Sequence, residues 1–235
     1  MNKTRLLVVA TCLALGIVPA AAGNRSIVVE LFTSEGCSSC PPADGLLAEL
    51  AGRPGLLALS FHVDYWDRLG WKDPFSSPAA TQRQRRYAEL LGLATVYTPQ
   101  IVVDGKWQAV GSSFAEVERI LESAQRDRNE VPVALAADHG RAKITLGPGG
   151  SGVSASVLLI GFDRHHVTAV ARGENAGRTL AHVDVVRSLE EVARFDSRGG
   201  TIEAPLPAQY DRIAAIVQAP DGRILGVAVR DVDAR

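Results

Sequence analysis

The spacing of apolar residues divides the chain into two parts. Up to about residue 126, short apolar runs alternate with segments in which apolar residues recur every three or four positions, as in strands interleaved with helices. Residues 26–33 (SIVVELFT) are rich in β-branched side chains and end at Ser-Glu-Gly, which predicts a buried strand feeding a turn. Leu46, Leu47 and Leu50 then share a helical face until Gly52-Arg53-Pro54-Gly55 stops it, and residues 56–63 (LLALSFHV) form a second strand-length run. Residues 64–78 (DYWDRLGWKDPFSSP) have no period and read as a loop or insertion. A helix follows over 79–91, closing at Gly92. Val102-Val103-Asp104-Gly105 predicts a strand entering a tight hairpin, with its partner over 106–110. Phe114, Val117, Ile120 and Leu121 mark the face of a last helix.

Past Val131 the helical spacing nearly vanishes. Residues 133–137, 142–146, 153–160, 166–171, 179–189, 201–205, 213–218 and 224–229 are short alternating runs separated by Gly, Pro and Asp. That density of strands predicts a mainly antiparallel β-sandwich. The pattern therefore gives an α/β domain over 23–130 and a β-sandwich domain over 131–235, preceded by an export signal over 1–22.

The signal reading rests on Lys3 and Arg5, an apolar run from Leu6 to Val18, and the small residues Ala20-Ala21-Ala22. The run is broken by Thr11, Gly16 and Pro19 and falls short of the roughly 20 residues that cross a bilayer, so no stable membrane insertion is expected after cleavage. Removing Lys3 and Arg5 moves the formal charge from -1 to -3. With Lys and Arg scattered, so small a charge excludes a nucleic-acid footprint. A periplasmic or secreted location is expected.

Of the three cysteines, Cys12 leaves with the signal, and Cys37 and Cys40 remain as Cys-Ser-Ser-Cys. No disulfide framework can be built from them. In an oxidising compartment such a pair is a local cross-link, a redox site or half of a metal site. Two cysteines three positions apart at the start of a helix share a face, and the helix N-terminus favours thiolate on the first. Cys37 is then the attacking sulfur and Cys40 the resolving one. His62 could complete a Cys37, Cys40, His62 site for copper or zinc, although a hydrogen-bonded structural histidine is the plainer reading. The aromatic run Tyr65, Trp66, Trp71 and Phe75 either lines a substrate groove, with Trp66 as its candidate contact, or simply packs. The polar loop Arg172, Glu174, Asn175 and Arg178 reads as a structural turn or, less simply, as a functional one.

The order strand, Cys motif, helix, strand, helix, X-Pro, hairpin, helix resembles the thioredoxin fold, and Thr98-Pro99 resembles that fold's cis-proline dipeptide. The segments ELFTSEGCSSCPPAD, HVDYWDRLGWKDPF, TPQ-VVDG and RGENAGRTLAHVDVVR resemble a secreted, thioredoxin-like family known as domain of unknown function 1223. The resemblance implies a thiol-disulfide exchange site at Cys37 and Cys40 with no cofactor. Its substrate site would be shaped by Thr98 and Pro99, and its partners would be exported protein thiols or disulfides, or a redox partner protein. It also marks Glu30 as a possible proton relay for Cys40, against the plainer reading of a solvent-facing strand-edge acid. Pro41 and Pro42 depart from the thioredoxin pattern but are tolerated in a first helical turn.

Overall fold

The computed structural model describes residues 26–127, 131–150, 152, 154–206 and 210–232. The expected export signal lies outside these residues. The chain is a mixed α/β protein dominated by one eight-stranded sheet, with a three-stranded antiparallel sheet beside it. Among the described residues no helix is long and apolar enough to cross a membrane.

The N-terminal segment follows its apolar pattern closely. Strand β1 (Ile27–Thr33) runs parallel to β2 (Leu56–His62) and antiparallel to β3 (Gln100–Val103), which pairs in turn with β4 (Trp107–Val110). Helices α1 (Pro41–Ala51), α2 (Pro78–Leu90) and α3 (Phe114–Arg126) complete the segment. Alternation along β1 divides its side chains between two cores. Ile27, Val29 and Leu31 face Leu46, Leu47 and Leu50 of α1 and Val117, Ile120 and Leu121 of α3. Val28 and Phe32 face the other way, toward Tyr87 of α2. The run is buried on both faces, which is why it reads as continuously apolar.

The C-terminal segment contributes to both sheets. Strands β5 (Val133–Asp138), β6 (Arg141–Leu146) and β9 (Gly200–Pro205) make the small sheet. It packs Ile144 and Leu146 against Val157, Phe195, Ala215 and Val217, the two-layer arrangement of a sandwich. The second layer consists of β7 (Ala155–Ala169), β8 (Thr179–Phe195), β10 (Arg212–Gln218) and β11 (Ile224–Asp231). This layer does not end at the segment boundary. β8 pairs in parallel with β2 at Ser60 and Val185, so the large sheet runs β11-β10-β7-β8-β2-β1-β3-β4.

Two runs expected as separate strands, 153–160 and 166–171, are parts of the single strand β7, because backbone pairing with β8 continues through the polar stretch from Asp163 to His166. The β3–β4 turn also reaches the other segment. Gly105 sits at φ +64°, and a Cβ there would lie 1.8 Å from the carbonyl oxygen of Gly222 in the β10–β11 turn, so only glycine allows the two turns to meet.

Candidate functional site

The fold brings the ends of β1, β2 and β8 and the first turn of α1 to one place. Cys37 and Cys40 form a disulfide there, with Cα atoms 5.4 Å apart. Cys40 is the N-cap of α1, and Pro41 and Pro42 occupy its first two positions. Neither proline has an N–H, so the helix start offers fewer free donors to a sulfur than an ordinary N-terminus would. Both cysteines are fully buried, while Ser38 and Ser39 between them are exposed.

A hydroxyl takes part of the missing donors' place. Thr98 Oγ1 donates to Cys37 Sγ at 3.3 Å and accepts from Trp66 Nε1 at 2.9 Å. The Thr98–Pro99 peptide is cis. Close packing reinforces the arrangement, since a Cβ on Gly36 would lie 3.0 Å from Trp66 Cβ. Cys37, Cys40, Thr98, Pro99 and Trp66 are thus gathered in one site. The second tryptophan of the 64–78 segment also has a polar partner: Trp71 Nε1 donates to Glu35 Oε2 at 2.8 Å.

The C-terminal segment closes over the motif through the loop between β7 and β8. Asn175, fully buried, donates through its side-chain amide to the carbonyl oxygens of Glu35 and Cys37, each at 2.9 Å. Its Oδ1 accepts from Arg178. Glu174 accepts from the backbone N–H of Ser38 at 3.1 Å and from its hydroxyl at 2.7 Å. These bonds hold the exposed Glu174 carboxyl below its ordinary range.

Below the disulfide lies a buried group of acids and imidazoles. Burial alone would push the Asp73 carboxyl up, but His62, 2.7 Å away through Nδ1, and the backbone N–H groups of Glu35 and Phe75 hold it below its ordinary range. Burial likewise opposes charge on His62, yet the Asp73 carboxylate raises it above the usual imidazole value. His182 on β8 places Nε2 3.2 Å from Glu35 Oε1 and Nδ1 3.9 Å from Asp44 Oδ1. Asp44 also accepts from Thr33 Oγ1 at 2.9 Å, and its burial raises its pKa.

Two candidates fall elsewhere. Glu30 is buried on the face of β1 opposite Leu31 and Thr33, where Arg83 grips both carboxylate oxygens and Tyr87 donates at 2.8 Å. It is therefore neither a partner of Cys40 nor a solvent-facing acid. His62 turns Nδ1 to Asp73, and the two sulfurs are bonded to each other. Among the described residues no group of three or more His, Cys, Asp and Glu side chains is arranged to hold a metal ion.

Asp44, Asp73 and His182 carried no signal of their own in the sequence, being isolated ionisable residues far apart in the chain. The available signal was collective. The segments ELFTSEGCSSCPPAD, HVDYWDRLGWKDPF, TPQ and RGENAGRTLAHVDVVR each deliver residues to this one site.

Fold and site together define a mixed α/β protein with a buried Cys-x-x-Cys disulfide at a helix N-terminus, roofed by a loop of its own C-terminal segment. Residues 28–218 match the family described as protein of unknown function (DUF1223), and the chain belongs to that family. A crystal structure of a protein from Agrobacterium tumefaciens is similar over 92% of this chain and 100% of its own, with 28% identity and a TM-score of 0.78. Two further structures align weakly. One is a β-glucosidase from Kluyveromyces marxianus, with 13% identity, TM-score 0.24 and coverage of 49% of this chain and 17% of that one. The other is an endonuclease/exonuclease/phosphatase from Beutenbergia cavernae, with 18% identity, TM-score 0.19 and coverage of 43% and 23%. Neither carries an argument about fold or function. No curated protein matches.

Proposed function

We propose that the protein is an exported thiol-disulfide oxidoreductase that exchanges disulfides with protein or small-thiol substrates through Cys37, with Cys40 resolving. The observation that carries this reading is the hydrogen bond from Thr98 Oγ1 to Cys37 Sγ, itself oriented by Trp66. A sulfur that becomes a thiolate in each exchange cycle needs a donor aimed at it, and one that stays in a structural clip does not. The reading treats the N-terminal segment as thioredoxin-like. Three features support this: β1 and β2 are parallel, β3 and β4 form an antiparallel hairpin, and the Cys pair opens α1. Thr98, Pro99 and Trp66 shape the substrate side. The partners are exported protein thiols or disulfides, or a redox partner, in the periplasm or outside the cell.

A second reading is a non-catalytic scaffold with a structural disulfide, and the complete burial of both cysteines favours it. Trapping separates the two. In a Cys40→Ala variant mixed with a scrambled disulfide-bonded protein, exchange chemistry accumulates a mixed disulfide on Cys37. A Cys40→Ala variant that remains free of adducts, together with a wild-type disulfide that resists defined redox buffers, establishes the structural reading.

A further inference from the structure

The burial of Cys37 and Cys40 sets a condition on the exchange reaction. A thiolate attacks along the line of the S–S bond, so it must reach Cys37 Sγ from the side away from Cys40. That cysteine is fully buried, and Thr98 Oγ1 at 3.3 Å and Ser39 Oγ at 3.4 Å already stand against its sulfur. The sulfur is therefore reached through a local opening of the fold. Ser38 and Ser39 are exposed, so the outer half of the turn is the part placed to move.

The inner end of the turn is clamped from its own side: the Glu35 N–H donates to Asp73, and the Glu35 carboxylate meets Trp71 and His182. Cys37 and Ser38 are held differently. Within the turn, the Cys37 N–H donates to the Ser34 carbonyl at 3.1 Å and the Cys37 carbonyl accepts from the Cys40 N–H at 3.2 Å. Three further bonds reach them from the β7–β8 loop, 136 to 138 residues along the chain: the Asn175 amide on the Cys37 carbonyl, and the Glu174 carboxylate on the N–H and hydroxyl of Ser38. Glu174 and Ser38 are both exposed, so water can take over their bonds without disturbing a core.

The loop is also built to move as a unit. Its base is closed by the Val170 N–H on the Arg178 carbonyl at 2.9 Å and the Gly177 N–H on the Val170 carbonyl at 2.8 Å, and Gly173 and Gly177 within it sit at φ +78° and +79°. Its tip can turn while β7 and β8 stay paired. A Cβ on Gly173 would lie 3.0 Å from Trp71 Cβ, so a residue without a side chain lets the loop lie this close to the 64–78 segment.

We propose that residues 171–177 are an autoinhibitory strap: docked, Glu174 and Asn175 hold the turn so that Cys37 is out of reach of thiols, and released, they let Cys37 and Ser38 swing outward. The proposal rests on the exchange reading above. Glu174 and Asn175 act through the turn and are positioning residues. The chemistry behind the strap is unchanged. The incoming thiolate forms an S–S bond to Cys37, and the Cys37–Cys40 bond breaks with its electron pair going to Cys40. With dithiothreitol, the reagent's second thiol then displaces Cys37, so that both cysteines end reduced and the reagent leaves as its cyclic disulfide.

The test is the rate at which dithiothreitol opens the disulfide of the full oxidised chain at fixed pH, from no urea up to concentrations below the unfolding transition. The wild-type rate is slow and flat across this range, since a local opening exposes little surface. Glu174→Ala removes two of the strap's bonds, and Gly173→Ala wedges the loop off Trp71 without touching the turn. Each raises the rate on the order of fivefold, the scale of one net hydrogen bond, and keeps it flat in urea. An unchanged rate in either variant, or a rise that comes with a urea slope and so reports global destabilisation, overturns the strap and leaves exchange standing. If one variant does not fold, the other decides. A wild-type rate that climbs with urea in step with unfolding, or a disulfide that stays closed in all three proteins, shows that no folded form presents Cys37 and sinks the exchange reading together with the strap.

Discussion

The side-chain amide of Asn175 lies 2.9 Å from the carbonyl oxygen of Cys37, 138 residues earlier in the chain. The same amide donates to the carbonyl of Glu35, so one residue of the β7–β8 loop fixes both ends of the turn that leads into the disulfide. Without Asn175 the Glu35 carbonyl loses this donor, and the Cys37 carbonyl keeps the Cys40 N–H at 3.2 Å. Asn175→Ala should therefore destabilise the protein by about 1–3 kcal/mol, the scale of one buried acceptor left unmade. Urea denaturation with the disulfide intact measures it. A loss below about 0.5 kcal/mol would mean that water replaces the amide and that the loop is only a cover.

Glu30 and Arg83 give a prediction with an internal control. The pair is buried on the face of the sheet away from the disulfide and is joined by Tyr87 and Gln218, which tie α2 to β10. Burial pushes the Tyr87 hydroxyl up, and the Glu30 carboxylate, prevailing over burial, raises Arg83. Arg83→Met leaves the Glu30 carboxylate buried without its cation and should cost about 3–5 kcal/mol. The double variant Glu30→Gln with Arg83→Met removes both charges and should recover a large part of that loss. Neither change should alter the redox potential of Cys37–Cys40. A double variant as unstable as Arg83→Met alone, measured by the same denaturation, would refute the isolated-charge account.

Glu30 also illustrates what the sequence could and could not convey. The β-branched apolar run SIVVELFT marked β1 as a buried strand, since β1 is covered on both faces, and helical spacing marked α1 and α3, since each helix buries one face against it. The Cys37–Cys40 pair was legible from its spacing, Thr98 and Pro99 by family resemblance, and Trp66 as one member of the aromatic run Tyr65, Trp66, Trp71 and Phe75. The face on which Glu30 lies depends on its parity relative to Thr33 and on Arg83, which is 53 residues away. Asp44, Asp73 and His182 are likewise single polar residues whose meaning appears only when β2 and β8 pair at Ser60 and Val185. The composition shift near Val131 marked a real change from α/β to all-β grammar. Nothing local recorded that the large sheet continues across it, since one parallel bridge between distant strands leaves no periodic trace.

The His62–Asp73 pair sets a pH dependence of stability whose sign can be derived. His62 has a native pKa raised above 6.5, so its contribution is complete below pH 6.5 and is lost as pH rises through the higher native value. Asp73 has a native pKa lowered below 3.8, so its contribution is complete above 3.8 and is lost as pH falls through the lower native value. The pair therefore stabilises the fold most between pH 3.8 and 6.5. Asp44 adds a slope of the same direction on the alkaline side: its raised pKa gives a contribution present below 3.8 that fades as pH climbs through the native value. Unfolding free energy should fall on the order of 1 kcal/mol or more from about pH 6 to about pH 9, and His62→Gln should flatten the part of that fall above 6.5. Denaturant titrations of the full oxidised chain at several pH values measure both slopes. A wild-type curve that rises across this window, or a His62→Gln curve parallel to wild type, would show that His62 is not held protonated by Asp73.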